Sequence, residues 1–91
     1  MIVRWTQPAA EDLRNITRFI RRDNPTAARH VAKTIFDAAN DLNSFPRRGR
    51  VGRMAGTREL TFPGWPYILV YEVTEHAVEI LHIYHGAQDW P

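Results

Sequence analysis

The chain has 91 residues, of which 44% are hydrophobic and 24% charged, with a net charge of +2. These values predict one globular domain over residues 1–91 and exclude wholesale disorder. The absence of cysteine excludes disulfides and cysteine zinc sites, and no apolar run approaches the ~18 residues of a membrane span. We therefore expect a cytoplasmic protein that does not bind a membrane.

The first half of the sequence predicts a strand and two helices. Residues 2–6 are rich in strand-forming side chains, which predicts a short strand. A helix over residues 8–22 begins at Pro8, and its apolar residues recur at spacings of three and four: Leu13, Ile16 and Ile20. Asn24-Pro25 is typical of a cap followed by a helix start, so a second helix is predicted over residues 25–44. Its narrow stripe of alanine and aliphatic residues favours an αα-hairpin.

The second half of the sequence predicts three strands. They cover residues 57–62, 67–73 and 78 to 84 or 85, after an irregular segment over residues 47–56. The short connections permit only antiparallel hairpins. The predicted fold class is therefore α+β, with the order β-α-α-β-β-β and a helical hairpin on one face of a small, mainly antiparallel sheet. The place of the first strand in that sheet stays open.

Alternation along the strands assigns side chains to the two faces of the sheet. The aliphatic sets, such as Ile68 with Val70 and Leu81 with Ile83, are expected to face the helices. The other face then presents four ring-bearing side chains: Tyr67, Tyr71, His82 and Tyr84. An open aromatic face often marks a partner site. The alternative is that Tyr67 and Tyr71 are amphipathic residues at the edge of the core.

The basic residues form a dense cluster in the middle of the sequence. Of the 12 basic residues, 11 are arginine, and residues 59–91 contain no Lys or Arg but five acidic residues. Residues 47–58 contain no acid and five arginines: Arg47, Arg48, Arg50, Arg53 and Arg58. Arginine suits bidentate contact with phosphate or carboxylate, so the cluster predicts an anionic target, either nucleic acid or an acidic protein segment. The alternative is a solvated loop that keeps the protein soluble.

Several kinds of catalytic site are excluded. His82 and His85 are three positions apart on a predicted strand and face opposite sides, so no metal site is predicted. The glycine spacing does not match a phosphate-binding P-loop, and no cofactor is predicted. The single serine, Ser44, lies just before the helix-ending Pro46 and outside any nucleophile elbow, which excludes a serine hydrolase.

Metal-free cleavage of RNA remains compatible with the composition. It needs a base for the 2′-hydroxyl, an acid for the leaving oxygen and positive charge on the phosphate. The candidates for proton transfer are Glu59, His82, Tyr84 and His85. The candidates for charge stabilisation are Arg50, Arg53 and Arg58.

Four ordered segments resemble the RelE/ParE superfamily of type II toxins. They are PRRGRVG at 46–52, GTREL at 56–60, PYILVY at 66–71 and VEILHIYHGAQDWP at 78–91. The opening Trp5-Thr6, Ala9, Asp12-Leu13 and the Asn24-Pro25 pair fit as well. The resemblance covers nearly the whole chain. It implies a β-α-α-β-β-β fold and a cognate antitoxin protein that neutralises the toxin. The predicted aromatic face is then the expected antitoxin-binding surface, with Tyr67, Tyr71, His82 and Tyr84.

The superfamily has two activities. ParE-like members inhibit DNA gyrase, whereas RelE-like members cut mRNA on the ribosome with basic residues on the sheet and a Tyr or His near the C-terminus. The RelE-like pattern usually places a basic residue in a stretch like residues 67–71, which here has none, and the last strand also has none. This difference favours gyrase inhibition. The alternatives are a ribosome-dependent mRNA endonuclease and a basic binding module outside the superfamily.

Overall fold

The structure, a computed structural model, describes residues 1–87. The last four residues of the VEILHIYHGAQDWP segment lie outside the described part. The elements in chain order are β1 (Ile2–Trp5), α1 (Gln7–Arg21), α2 (Pro25–Asp41), β2 (Arg50–Val51), β3 (Arg58–Phe62), β4 (Trp65–Val73) and β5 (Ala77–His85). The predicted α+β fold is confirmed, with the addition of the two-residue strand β2 inside the segment that was expected to be irregular.

Both helices begin at side-chain caps. The Thr6 hydroxyl accepts a hydrogen bond from the backbone N–H of Ala9, and the Asn24 side chain accepts one from Ala27 at 3.0 Å. Each cap satisfies a backbone donor that the first turn of a helix leaves unpaired. α2 starts at Pro25, as predicted, and α1 starts one residue before Pro8. Within residues 1–87, neither helix has the length and apolar character that a membrane crossing requires.

The five strands of the described residues form one sheet in the order β1-β5-β4-β3-β2. β1 pairs parallel with β5, while the pairings of β5 with β4, β4 with β3 and β3 with β2 are antiparallel. The predicted antiparallel hairpins are therefore confirmed, and β1 takes an edge position. β1 ends at Trp5, opposite Ile80, so the last residues of β5 have no strand on that side.

The prediction of which sheet face meets the helices was wrong for β4. Tyr67, Leu69 and Tyr71 join the core with α2 residues such as Ile35, while Ile68 and Val70 lie on the opposite face. Both alternating sets of β4 are largely apolar, so alternation alone did not identify the inner one. The phenol rings fill the layer beneath the helices, leaving Tyr67 9% and Tyr71 0% exposed.

A register shift in β5 changes the face assignment of that strand as well. Val70 pairs with His82, but the next residue of β4, Tyr71, pairs with Ile80. One extra residue in β5 is the signature of a β-bulge, which re-aims the side chains on either side of it. As a result Ile80 and Ile83 both face the core, although they are three positions apart. We call the face opposite the helices the outer face.

Candidate functional site

The arginine-rich segment forms an ordered loop, residues 45–57, which we call the arginine loop. Its first attachment is Tyr71 in β4. The Tyr71 hydroxyl accepts a hydrogen bond from the backbone N–H of Gly49 and donates one to the carbonyl oxygen of Pro46, both at 2.8 Å. A buried hydroxyl with two partners costs little to bury, and it fixes the loop to the centre of the sheet.

Arg58 is the second attachment of the loop. Its guanidinium Nη1 donates to the carbonyl oxygen of Gly49 at 2.7 Å and lies 3.4 Å from that of Arg47. Arg58 is half-buried and pairs in register with Tyr71, so it lies on the helix-facing side of β3. In this position the Arg58 guanidinium holds the loop backbone in place through its hydrogen bonds to loop carbonyl groups.

Glu59 is the third attachment and lies on the outer face. Its carboxylate is only 3% exposed. It accepts hydrogen bonds from the Arg50 guanidinium at 3.0 and 3.2 Å and from the backbone N–H of Arg53 at 3.2 Å. A buried carboxylate is tolerated when charge and hydrogen bonds compensate it, and here both partners come from the arginine loop.

The arginine side chains of the loop nevertheless remain accessible. Arg47, Arg48, Arg50 and Arg53 are all exposed. Arg50 keeps 59% of its side chain exposed while it pairs with Glu59, and Arg48 lies 3.9 Å from Asp41. The predicted anion-binding residues are therefore brought together on one loop, except that Arg58 serves mainly as its support.

His82 lies on the outer face at the free edge of β5. Its Nδ1 is 3.1 Å from the Oδ2 atom of Asp12 in α1. The same oxygen accepts a hydrogen bond from the backbone N–H of Ile83 at 3.0 Å. Asp12 thus accepts a backbone hydrogen bond that β5 cannot make with β1, which has already ended. The same carboxylate fixes the imidazole ring of His82. The separation of 70 residues gave the sequence analysis no sign of this pair.

Tyr84 is also on the outer face, but it is only 6% exposed. Burial raises the pKa of its phenol above the ordinary value of 10.0; the nearby Glu59 carboxylate adds to the rise, and Arg53 and Arg50 oppose it. The phenol is therefore neutral at physiological pH. It lies on the same face as Glu59 and His82, so three proton-transfer candidates share this surface.

Tyr67 in β4 and His85 in β5 are paired neighbours on the helix-facing side of the sheet. Their rings make an edge-to-face contact, with centroids 5.8 Å apart and an interplanar angle of 85°. Both line an open cleft of about 480 Å³ between α1 and the sheet, together with Asp12, Asn15, Ile16, Phe19, Ile83 and Tyr84. Burial raises the pKa of the Tyr67 phenol.

The structure does not bring all the candidates for RNA cleavage to one face of the sheet. His82 and Tyr84 lie on the outer face, whereas His85 and Arg58 have the register of the helix-facing side. Arg58 pairs with Tyr71 and His85 pairs with Tyr67, so these two lie at different ends of β4. The residues first considered for antitoxin binding divide similarly, with Tyr67 and Tyr71 beneath the helices and His82 and Tyr84 outside. Among residues 1–87 no group of three or more His, Asp or Glu side chains is placed to hold a metal ion.

Comparison with known proteins identifies the family. Residues 3–90 match the family model described as the ParE toxin of the type II toxin–antitoxin system parDE. The chain belongs to this ParE toxin family. It is a toxin of a type II toxin–antitoxin system within the RelE/ParE superfamily, as the resemblance implied, and a basic module outside the superfamily is excluded.

The chain is similar in sequence to two curated toxins. It is 40% identical over 89 residues to the putative toxin Y4kP of Sinorhizobium fredii, covering 98% of this chain and 92% of the relative. It is 37% identical over 84 residues to the toxin RelE2 of Caulobacter vibrioides, covering 92% and 93%. The second relative carries the name of the RelE branch, whereas the name of the first indicates no branch.

Two solved structures share the fold. The chromosomal ParDE toxin–antitoxin system from P. aeruginosa matches with a TM-score of 0.84 and 27% identity, over 93% of this chain and 95% of that one. The RelBE2 toxin–antitoxin complex from Mycobacterium tuberculosis matches with a TM-score of 0.64 and 25% identity, over 96% and 92%. Both matches agree with two helices on a mostly antiparallel sheet.

Proposed function

We propose that this toxin stops growth by interfering with DNA gyrase and that a cognate antitoxin neutralises it. The observation that carries the proposal is the position of Arg58. Its guanidinium hydrogen-bonds two carbonyl groups of the arginine loop, on the face of the sheet away from His82 and Tyr84. A nuclease would need that charge beside its proton-transfer groups.

Two arginines of the loop, Arg50 and Arg53, come near Tyr84 on the outer face. RNA cleavage places an acid, a base and a positive charge around one phosphate. On the outer face Arg50 is already paired with the buried Glu59, and Tyr84 is a buried neutral phenol. β4 and β5 contain no Lys or Arg. These features favour a toxin that acts by binding a protein, and a gyrase target would place the toxin in the cytoplasm.

The comparisons support the same branch. The matching family is named for the ParE toxin, and the P. aeruginosa ParDE system matches with the higher TM-score of the two structures, 0.84 against 0.64. These matches lead us to expect a ParD-like antitoxin.

The helical hairpin offers a surface for the antitoxin. A groove between α1 and α2 is lined mainly by apolar side chains: Trp5, Ala10, Leu13, Arg14, Thr17, Ala32 and Phe36. Phe36 stacks on Trp5 with centroids 6.1 Å apart and remains 49% exposed, and Phe19 at the neighbouring cleft is 67% exposed. Exposed arginines continue along α1, so we expect an amphipathic antitoxin segment with acidic flanks.

A second candidate function is ribosome-dependent mRNA cleavage. The contact between His82 and Asp12 favours it, because a carboxylate that holds one imidazole nitrogen fixes the orientation of the ring, as in many catalytic histidines. Tyr84 lies two residues away on the same face. The similarity to the curated toxin named RelE2 also favours this second function. Against this second function, neither β4 nor β5 supplies a Lys or Arg beside His82 and Tyr84.

Induction of the toxin gene without its antitoxin distinguishes the two functions. A reporter of DNA damage and a map of mRNA 5′ ends are recorded in the same cells. Gyrase interference predicts a DNA-damage response without new mRNA ends at defined codon positions. Discrete mRNA cuts, lost in His82→Ala, without a damage response would contradict the proposal.

A further inference from the structure

The tip of the arginine loop exposes apolar side chains that the core does not use. Val51 is 79% exposed, more than any other large apolar side chain within residues 1–87, and Met54 is 44% exposed. Thr57 closes the turn that carries them. Its N–H and hydroxyl both donate to the carbonyl of Met54, at 3.1 and 2.7 Å, and its own carbonyl accepts from Gly52 at 2.8 Å.

The exposure of this tip is built into the fold. Tyr71 and Arg58 hold Gly49, Glu59 holds Arg50 and the backbone of Arg53, and Thr57 holds Met54. Three attachments therefore fix the loop against the sheet, and the Thr57 hydrogen bond closes the turn within it. A binding surface that is already ordered loses little conformational entropy when a partner docks.

Positively charged residues flank Val51 and Met54 along the loop. Arg47, Arg50 and Arg53 are exposed on the same loop, and the loop contains no acidic residue. Arg47 makes no ion pair with the residues that the structure describes, and Arg50 keeps more than half of its side chain exposed. An apolar centre with a charged rim is the usual arrangement of a protein interface, in which the centre contributes most of the affinity and the rim guides association.

We infer that Val51 and Met54 form an apolar anchor that enters a shallow pocket on an acidic protein surface, with the loop arginines as its rim. The inference rests on the proposed function, because it assigns the contact with the protein target to the arginine loop. A nucleic acid partner is less suited to this tip. Bases stack on aromatic rings, whereas the tip presents a branched aliphatic side chain and a thioether.

The test compares a tip variant with a matched control. The double variant Val51→Ser with Met54→Ser removes the anchor and leaves every arginine in place. The control is Ile2→Ser, which removes an aliphatic side chain of similar exposure, 59%, from β1. Purified toxins are measured for binding to the separate gyrase subunits, for thermal unfolding and for antitoxin binding, and the same genes are induced in cells.

We expect the tip variant to bind gyrase at least about tenfold more weakly and to lose toxicity, while Ile2→Ser keeps both. Thermal unfolding should stay unchanged, since neither tip side chain is buried. Antitoxin binding should also stay unchanged, because the proposed antitoxin groove lies between α1 and α2. Unchanged toxicity of the tip variant, or an equal loss in Ile2→Ser, would overturn the inference. So would binding of short DNA or RNA strands by the wild type that the tip variant loses.

The proposed function has its own readout in the same experiment. If the wild-type toxin binds neither gyrase subunit, the gyrase proposal fails. The comparison of toxicity between the tip variant and Ile2→Ser still decides whether the loop tip contacts the target.

Discussion

The hydroxyl of Tyr71 accepts a hydrogen bond from the backbone N–H of Gly49 at 2.8 Å, which ties the arginine loop to the centre of the sheet. Gly49 must be a glycine for this approach. A Cβ atom there would lie 2.8 Å from the Tyr71 hydroxyl and 2.8 Å from the carbonyl oxygen of Glu59. The loop backbone and the Tyr71 ring are therefore positioned by one close contact.

Tyr71→Phe should loosen the arginine loop without emptying the core. The substitution leaves the Gly49 N–H and the Pro46 carbonyl without their partner, which costs about 1–3 kcal/mol of unfolding free energy. Urea unfolding measures this loss, and trypsin should cut the variant faster at the loop arginines. Tyr67→Phe is the control, because the Tyr67 hydroxyl makes no hydrogen bond with the described residues. An equal loss in both variants would contradict the anchoring role.

Ile35→Ala should destabilise the toxin through a cavity. Ile35 is 1% exposed and lies on α2 within the main core cluster. Removing its buried methyl groups should cost about 2–5 kcal/mol in denaturant unfolding, a large share of the stability of a small domain. Lys33→Ala, two positions earlier, removes only an exposed pair with Asp37 and should leave the free energy of unfolding almost unchanged. Equal unfolding midpoints for the two variants would refute the core assignment.

Glu59→Gln should weaken the outer attachment of the arginine loop. Glutamine keeps an acceptor for the Arg53 N–H but loses the charge that pairs with Arg50, so we expect a loss of about 1–3 kcal/mol in unfolding free energy. Glu72→Gln makes the same chemical change on the same face. Glu72 pairs directly with Glu79, so removing one of two like charges should be neutral or stabilising by up to about 1 kcal/mol. A loss in Glu72→Gln as large as that in Glu59→Gln would contradict this account.

The stability of the toxin should fall at alkaline pH because burial raises the pKa of two phenols. Burial raises the pKa of Tyr84 and of Tyr67 in the folded state above the ordinary value of 10.0. Above that pH the unfolded chain releases phenolic protons that the folded chain retains, so unfolding becomes more favourable as pH rises. Below it, the contribution is fully present. Urea unfolding at a series of pH values above and below 10.0 measures the slope. Tyr84→Phe should flatten it, and an unchanged slope in that variant would contradict the assignment.

Local signals in the sequence predicted the elements of the fold. Pro8, the cap at Asn24 and the helical spacing in α1 are signals between neighbouring residues, so each helix was predicted to within a few residues of its observed ends. The cap at Thr6 was not predicted, because residue 6 was assigned to the first strand. The hairpins followed from connections too short for any other path. β2 was missed because a two-residue strand has no periodicity, and the edge position of β1 depends on pairing with a strand 75 residues away.

The arrangement of the site could be predicted only in part. The cluster of arginines was evident, but the sequence did not show that Arg58 supports the loop or that Glu59 pairs with Arg50 across nine positions. The face of Tyr71 was assigned wrongly because β4 is apolar on both sides. In β5 the faces change at a bulge that the alternation of the sequence does not show. The exposure of Val51 and Met54 depends on how the loop is attached to the sheet. A local sequence pattern does not show those attachments.

His82→Ala and His85→Ala should reduce toxicity in a graded way. If the residues only contribute contacts, each loss is partial and no cleaved mRNA appears with any variant. Loss of a general acid–base group would instead lower a cleavage rate by about 10²–10⁴-fold. Mapping mRNA ends after induction of each variant separates the two patterns. Discrete cuts by the wild type that disappear in His85→Ala would refute the binding mechanism.

Supercoiling of relaxed plasmid by purified gyrase tests the central claim most directly. The toxin is added over a range of concentrations, and the cognate antitoxin is then added to the inhibited reaction. We predict that the toxin inhibits supercoiling, that stoichiometric antitoxin restores it, and that the Val51→Ser, Met54→Ser variant inhibits less. Full supercoiling at every concentration of a correctly folded toxin that still kills cells would contradict the account.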